Sequence, residues 1–174
     1  MKKLLLLSFV LLAFTACNLE DIVDEIEDSL SSFDATVSGD VTSSFSGNAT
    51  FINSSVESQS PNSSTLFVYL TNGNDPDEEV QLSITLANVT GGVQAGTYQF
   101  DVNSTDAVVY TFYYNANSAF IYPDPTATNQ IVLSKVENSR IEGTYNFTLT
   151  NNVTGGDKVT VTGSFKAIGT FETI

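Results

Sequence analysis

Histidine and tryptophan are absent from the 174 residues, and cysteine occurs once. Without His the chain lacks the commonest general base, the commonest metal ligand and the side chain that titrates nearest neutral pH. A single Cys excludes an intrachain disulfide and every paired-cysteine metal or redox motif. Positive charge is scarce as well: six Lys and Arg stand against 20 Asp and Glu, a formal net charge of -14. Beyond Lys3 there is no Lys/Arg cluster, so a phosphate backbone is repelled and nucleic acid is not an expected partner. The longest apolar run, Leu4 to Phe14, falls short of the roughly 20 residues a membrane-spanning helix needs. These absences remove most acid–base, nucleophilic and metal-dependent active sites. The expectation is a protein that is not an enzyme and carries no cofactor.

What is present begins with an N-terminal export signal. Lys2 and Lys3 form a basic n-region, Leu4 to Phe14 an apolar h-region, and Thr15-Ala16 supply small residues before a cleavage point. An ordinary secretory signal cut near Ala16 leaves Cys17 incidental. Phe14-Thr15-Ala16-Cys17 also resembles the lipobox of bacterial lipoproteins, in which a small residue precedes the Cys that is diacylated and becomes the mature N-terminus. That resemblance implies lipidation at Cys17, membrane lipid as a partner and an outer-membrane location. Each buried acyl CH₂ contributes about 0.8 kcal/mol, so several chains hold where one does not. Losing Lys2 and Lys3 takes the net charge from -14 to -16, and electrostatic adhesion to anionic lipid is then unfavourable.

Asn18 to Phe33 is acidic, with Leu19, Ile22, Val23, Ile26 and Leu30 at the spacing of a short helix's apolar stripe. A helix this short is marginal in water by itself, so a solvated tether or a self-association helix are both compatible with it. The acidic run after Cys17 resembles the surface-export signal of Bacteroidetes-type lipoproteins, and Asp28-Ser29-Leu30 is similar to their short O-glycosylation motif. The chain thus divides into a signal peptide at 1–16, a lipidated Cys and acidic tether at 17–33, and a β-domain at 34–174.

From Ala35 onward the period changes to two. The clearest stretch is Arg140 to Ile168, where Ile141, Gly143, Tyr145, Phe147 and Leu149 alternate with polar residues. After a turn-prone run at Asn151 to Asp157, Val159, Val161, Gly163, Phe165 and Ala167 repeat the pattern. This predicts an antiparallel hairpin with one wet and one buried face. Ala35 to Phe51 reads as one kinked strand or two short ones, interrupted by Gly39 and Gly47. Further strands are expected at Leu66 to Thr71, Val80 to Ala87, Gly96 to Phe100, Val108 to Tyr114, Ala119 to Tyr122 and Gln130 to Val136. Eight to ten strands at this spacing predict a single all-β domain, an antiparallel β-sandwich or a flattened β-barrel. The last strand is expected to cover the edge of the first.

The Gly-rich early strand, Gly96-Thr97-Tyr98, and Gly143-Thr144-Tyr145-Asn146-Phe147 followed by Val159-Thr160-Val161-Thr162-Gly163-Ser164-Phe165 resemble lipid-anchored domains of unknown function from Bacteroidetes and related bacteria. The resemblance covers roughly residues 35 to 168. It implies a fold and an envelope address, and it brings no catalytic residues.

Candidate sites are few. Asn72 to Glu79 carries six oxygen-bearing side chains in eight residues, and Asn72, Asn74 and Asp77 are the best Ca²⁺ ligands in it. The same residues suit an ordinary turn, and no bidentate Glu stands at EF-hand spacing. Tyr110, Phe112, Tyr113, Tyr114, Phe120 and Tyr122 crowd around one tight turn. Core packing explains such a cluster, while any ring left exposed, Tyr113, Tyr114 or Tyr122, is a candidate ligand-binding residue for sugars or peptides. Asp101, Asp106, Glu137 and Glu142 are the carboxylates a glycosidase-type pair requires, although their spacing singles out no pair. The expected function is a lipid-anchored, non-catalytic envelope module. Its alternatives are a carrier holding an apolar ligand in a barrel and, less favoured, a carboxylate hydrolase; the protein or glycan partner is not legible.

Overall fold

The computed structural model describes residues 31–56, 63–73, 81–101, 108–115, 118–137, 139–151 and 156–173. Residues 1–30, with Cys17 and most of the acidic segment, lie outside them. Ten strands account for most of the described chain, and none of it is helical. They are β1 (Ser32–Gly39), β2 (Ser43–Val56), β3 (Ser63–Thr71), β4 (Gln81–Thr90), β5 (Gly96–Gln99), β6 (Val108–Asn115), β7 (Ser118–Pro123), β8 (Gln130–Glu137), β9 (Arg140–Asn151) and β10 (Lys158–Thr173). The kinked stretch after Ala35 is therefore two strands, and Phe33, read as the end of the acidic segment, is already a buried residue of β1.

The strands form one sheet in the order β1-β10-β2-β3-β4-β6-β7-β9-β8-β5, and a β10–β9 pairing brings the sheet back on itself. The result is a barrel-like antiparallel sheet rather than two separate packed sheets. One pairing is parallel, β2 with β10 from Thr50↔Ile168 to Ser55↔Thr173, and its origin is topological. β1 runs antiparallel to β10 and β2 runs antiparallel to β1; β2 and β10 must therefore run the same way. They meet directly beyond Ser32, where β1 begins. The N-terminal strands are thus closed by the last one, as expected.

The β9–β10 hairpin has the register that alternation requires, from Lys158↔Thr150 to Ile168↔Arg140. Ile141, Tyr145, Phe147, Leu149, Val159, Val161, Phe165 and Ala167 are all buried. Two glycines serve this packing. At Gly163 a Cβ would run into the Asp34 carbonyl and the Tyr145 hydroxyl, where Tyr145 Oη donates to Asp34 O at 2.9 Å. Gly39 ends β1 at φ 116°, a left-handed conformation that a side chain would strain. Burial raises the Tyr145 phenol above its ordinary pKa, with the nearby Asp34 charge adding to the effect.

Aromatic rings link strands across the interior. Phe33 meets Phe45 edge-on at 5.6 Å, Phe45 stacks on Tyr113 at 5.9 Å, and Tyr113 contacts Phe120 at 5.9 Å. These are ring-centroid distances in the range where aromatic pairs gain energy beyond their buried area. Because β2 and β6 are three steps apart in the sheet order, the Phe45–Tyr113 contact spans the enclosed space rather than joining neighbours.

Candidate functional site

The most organised polar constellation lies where β7, β9 and β10 come together with the β1–β2 turn. It begins with an irregularity in β7. Phe120 is in register with Asn151 and Tyr122 with Thr150, so two residues of β7 oppose one of β9, a β-bulge around Ile121. The bulge reverses the face of everything after it. Phe120 is 1% exposed in the core and Tyr122 is 61% exposed, although both sit at the same phase of a period of two.

Pro123 ends β7, and Asp124 begins a turn closed by the Ala127 N–H donating to Asp124 O at 3.1 Å. The Asp124 carboxylate is buried and fully engaged. Its Oδ1 accepts from the Thr126 N–H at 2.9 Å and from Thr126 Oγ1 at 2.7 Å, an Asx-type turn. Its Oδ2 accepts from Lys158 Nζ at 2.5 Å. The Lys158 partner, joined by the Thr126 donors, holds this carboxyl at a pKa of about 2. The loop is tied down further by Asn129, whose Nδ2 donates to Asp124 O at 2.6 Å while its Oδ1 accepts from the Thr148 N–H at 2.7 Å.

Lys158 is fixed from its other side as well. Asp40 in the β1–β2 turn accepts from the Lys158 N–H through Oδ2 at 2.6 Å, and its own N–H donates to Lys158 O at 3.0 Å. Tyr122, Thr150 and Lys158 occupy one register row across β7, β9 and β10. Beside them Thr148 and Thr160 share a hydroxyl–hydroxyl hydrogen bond at 3.1 Å. The arrangement offers an exposed ring, a positioned ammonium group and a carboxylate, all on rigid backbone. A carboxyl with a pKa near 2 is a weak base at neutral pH.

Of the aromatic candidates, Tyr113 is fully buried between Phe45 and Phe120. The Tyr114 backbone pairs with Gln81 and Ala119, and its side chain lies outside the described residues. Tyr122 alone of the three is a described, exposed ring. Asn74 and Asp77 of the Ca²⁺ candidate loop fall outside the described residues, as does Asp106; Asn72 stands just after β3. Among the described residues no cluster of three or more metal-ligating side chains is present.

Of the carboxylates named for hydrolysis, Asp101 is set apart from Glu137, whereas Glu137 and Glu142 share the Lys135 ammonium. Asp101 follows β5, whose Gln99 pairs with Gln130 at the start of β8, whereas Glu137 ends β8. Seven strand residues separate those ends, roughly 23 Å. Glu137 and Glu142 are both ion-paired: Lys135 Nζ lies 3.2 Å from Glu137 and 3.9 Å from Glu142, and Arg140 Nη2 lies 2.7 Å from Glu142. The Arg140 side chain is 12% exposed, so the wet-face position read from alternation is covered by its neighbours. A groove of about 310 Å³ on the β1–β2 hairpin, lined by Asp34, Thr36, Ser44, Phe45 and Ser46 among others, lies away from the Tyr122 cluster. Its one acid, Asp34, accepts a hydrogen bond from Ser164 Oγ.

Sequence reading missed the Asp124–Lys158 clasp. The usable signal was Pro123-Asp124-Pro125-Thr126, an Asx-turn sequence between two prolines, but nothing local pairs it with a lysine 34 positions on. No family model, curated protein or solved structure matches this chain.

Proposed function

We propose that the protein is a lipid-anchored, non-catalytic module of the bacterial outer membrane, held by acyl chains on Cys17 and presenting its barrel-like domain on the periplasmic or cell-surface side. The observation that carries this reading is the position of the only cysteine, directly after a basic n-region and an apolar run of signal-peptide length. The resemblance of Phe14-Thr15-Ala16-Cys17 to the lipobox and of residues 35 to 168 to lipid-anchored envelope domains supports the same address.

Several features support a non-catalytic role. The chain has no His, and the reading commits its one thiol to lipid. Lys135, Arg140 and Lys158 are engaged in ion pairs and so are poorly placed to activate a nucleophile. The carrier alternative needs an open apolar interior, and the Phe33–Phe45–Tyr113–Phe120 chain of rings across the barrel favours a filled one. The test is fractionation of cells expressing the wild type or Cys17→Ser. The expected outcome is that the wild type sediments with the outer membrane, whereas the variant is released or accumulates as uncleaved precursor. Normal processing with unchanged membrane retention would falsify the anchor.

A further inference from the structure

We infer that the uncharged wall formed by β2, β3 and β4, with the adjoining parts of β6 and β10, is a self-association surface on which a second copy of this chain docks face to face. The inference goes beyond the anchoring reading and does not depend on it.

The argument starts from where the charge is not. β2, β3, β4, β6 and β7 contain no Asp, Glu, Lys or Arg, although the chain carries 20 acidic residues. In the sheet order β2, β3, β4, β6 and β7 are consecutive, so the neutral sequence becomes one continuous side of the barrel. Every charged strand residue sits on β1, β8, β9 or β10, and the acids nearest in sequence to the wall fall in connections, Glu57 after β2 and Asp75 to Glu79 between β3 and β4.

Two register rows show what the wall presents. Ile168, Thr50, Tyr69 and Ser83 align across β10, β2, β3 and β4, and Thr170, Ile52, Phe67 and Thr85 align beside them. Their chain neighbours Ala49, Phe51, Leu66, Val68, Leu82 and Ile84 are buried, so a period of two turns both rows outward. Three of the large apolar side chains exposed among the described residues belong to these rows: Ile52 at 42%, Tyr69 at 36% and Ile168 at 36%. Loss of charge around exposed aromatic and aliphatic groups is what sets the centre of a protein interface apart from ordinary surface.

The occupant follows from symmetry and charge. In a two-fold contact the same patch meets itself, so any net charge on it faces its own sign. Across the rest of an acidic chain that is unfavourable; within these rows nothing repels. Thr50, Ser83, Thr85 and Thr170 carry hydroxyls, which both donate and accept, so the rows are able to bond to their own copies after rotation. A bilayer would leave those hydroxyls without partners in hydrocarbon. An extended peptide would need a free strand edge, whereas β2, β3 and β4 are each paired on both sides. Five strands about 4.8 Å apart and the residues from Asn48 to Ser54 at about 3.3 Å each give roughly 550 Å² per copy, the size of a weak, reversible contact and not of an obligate dimer.

Sedimentation equilibrium of the full mature protein in density-matched nonionic detergent tests this. The expected result is a monomer–dimer equilibrium with a Kd of about 0.1 mM or tighter. It should tighten by about threefold or more between about 50 and about 500 mM NaCl, as salt screens the repulsion between two acidic chains. Thr50→Glu, which sets like charges opposite each other on the wall, should weaken the dimer by about tenfold or more. Ile52→Thr, which keeps a β-branched side chain and so the strand, should weaken it by about threefold or more. Thr144→Glu on the exposed face of β9 should leave it within about twofold. A protein that stays monomeric at about 0.5 mM, and so keeps this wall for lipid or for a different protein, overturns the proposal. So does a dimer that ignores both wall variants, is weakened as much by Thr144→Glu, or loosens in salt.

Discussion

Asp124 shows how a single residue joins local chemistry to stability. Its folded pKa of about 2 lies below the ordinary 3.8, so the unfolded chain binds the proton more readily. The stability this carboxylate contributes is therefore complete above about pH 4 and is lost as pH falls toward 2. Asp124→Asn should be less stable than wild type at neutral pH, and the gap should close through that window. Denaturant unfolding of both proteins across acid pH measures it; a gap that stays constant would mean the carboxylate's charge is not what holds the loop. Nothing in the sequence reading revealed this partnership. A side-chain pair between the turn after β7 and the start of β10 exists only once β9 lies between the two strands.

At the level of elements, the β9–β10 hairpin was legible because every second residue from Ile141 to Leu149 and from Val159 to Ala167 is apolar or Gly, and a period of two leaves one register. Phe147→Ala and Phe165→Ala should each cost about 3 to 5 kcal/mol, the usual toll of emptying a buried aromatic site. Thr144→Ala, on the exposed face, should cost under about 0.5 kcal/mol. Chemical denaturation ranks the three, and a Thr144 variant worse than either Phe variant would mean that the register is off by one and both faces are inverted. The bulge in β7 defeats the same reasoning. Phe120 and Tyr122 share a phase, and only the pairing with Asn151 and Thr150 shows that one points in and the other out. The parallel β2–β10 contact was hidden for a related reason, since it depends on β1 beginning at Ser32 rather than on any pattern within β2 or β10.

For the whole molecule, the pairing of β1 and β2 with β10 joins the two ends of the described domain. Closure of this kind leaves little sheet edge open to other chains. The expectation of a closed all-β domain came from strand count and spacing, and its barrel-like form from pairings that no single stretch encodes. Function is less legible than fold. The proposed anchor rests on the seventeen N-terminal residues, while the Asp124–Lys158 clasp is assembled only in three dimensions. The account's central claim is that this domain is carried on lipid at Cys17, and mass spectrometry of the N-terminal peptide of the mature protein tests it most directly. The account predicts a peptide beginning at Cys17 and bearing a diacylglyceryl group on sulfur with an amide-linked acyl chain; a mature peptide with an unmodified Cys17 would contradict it.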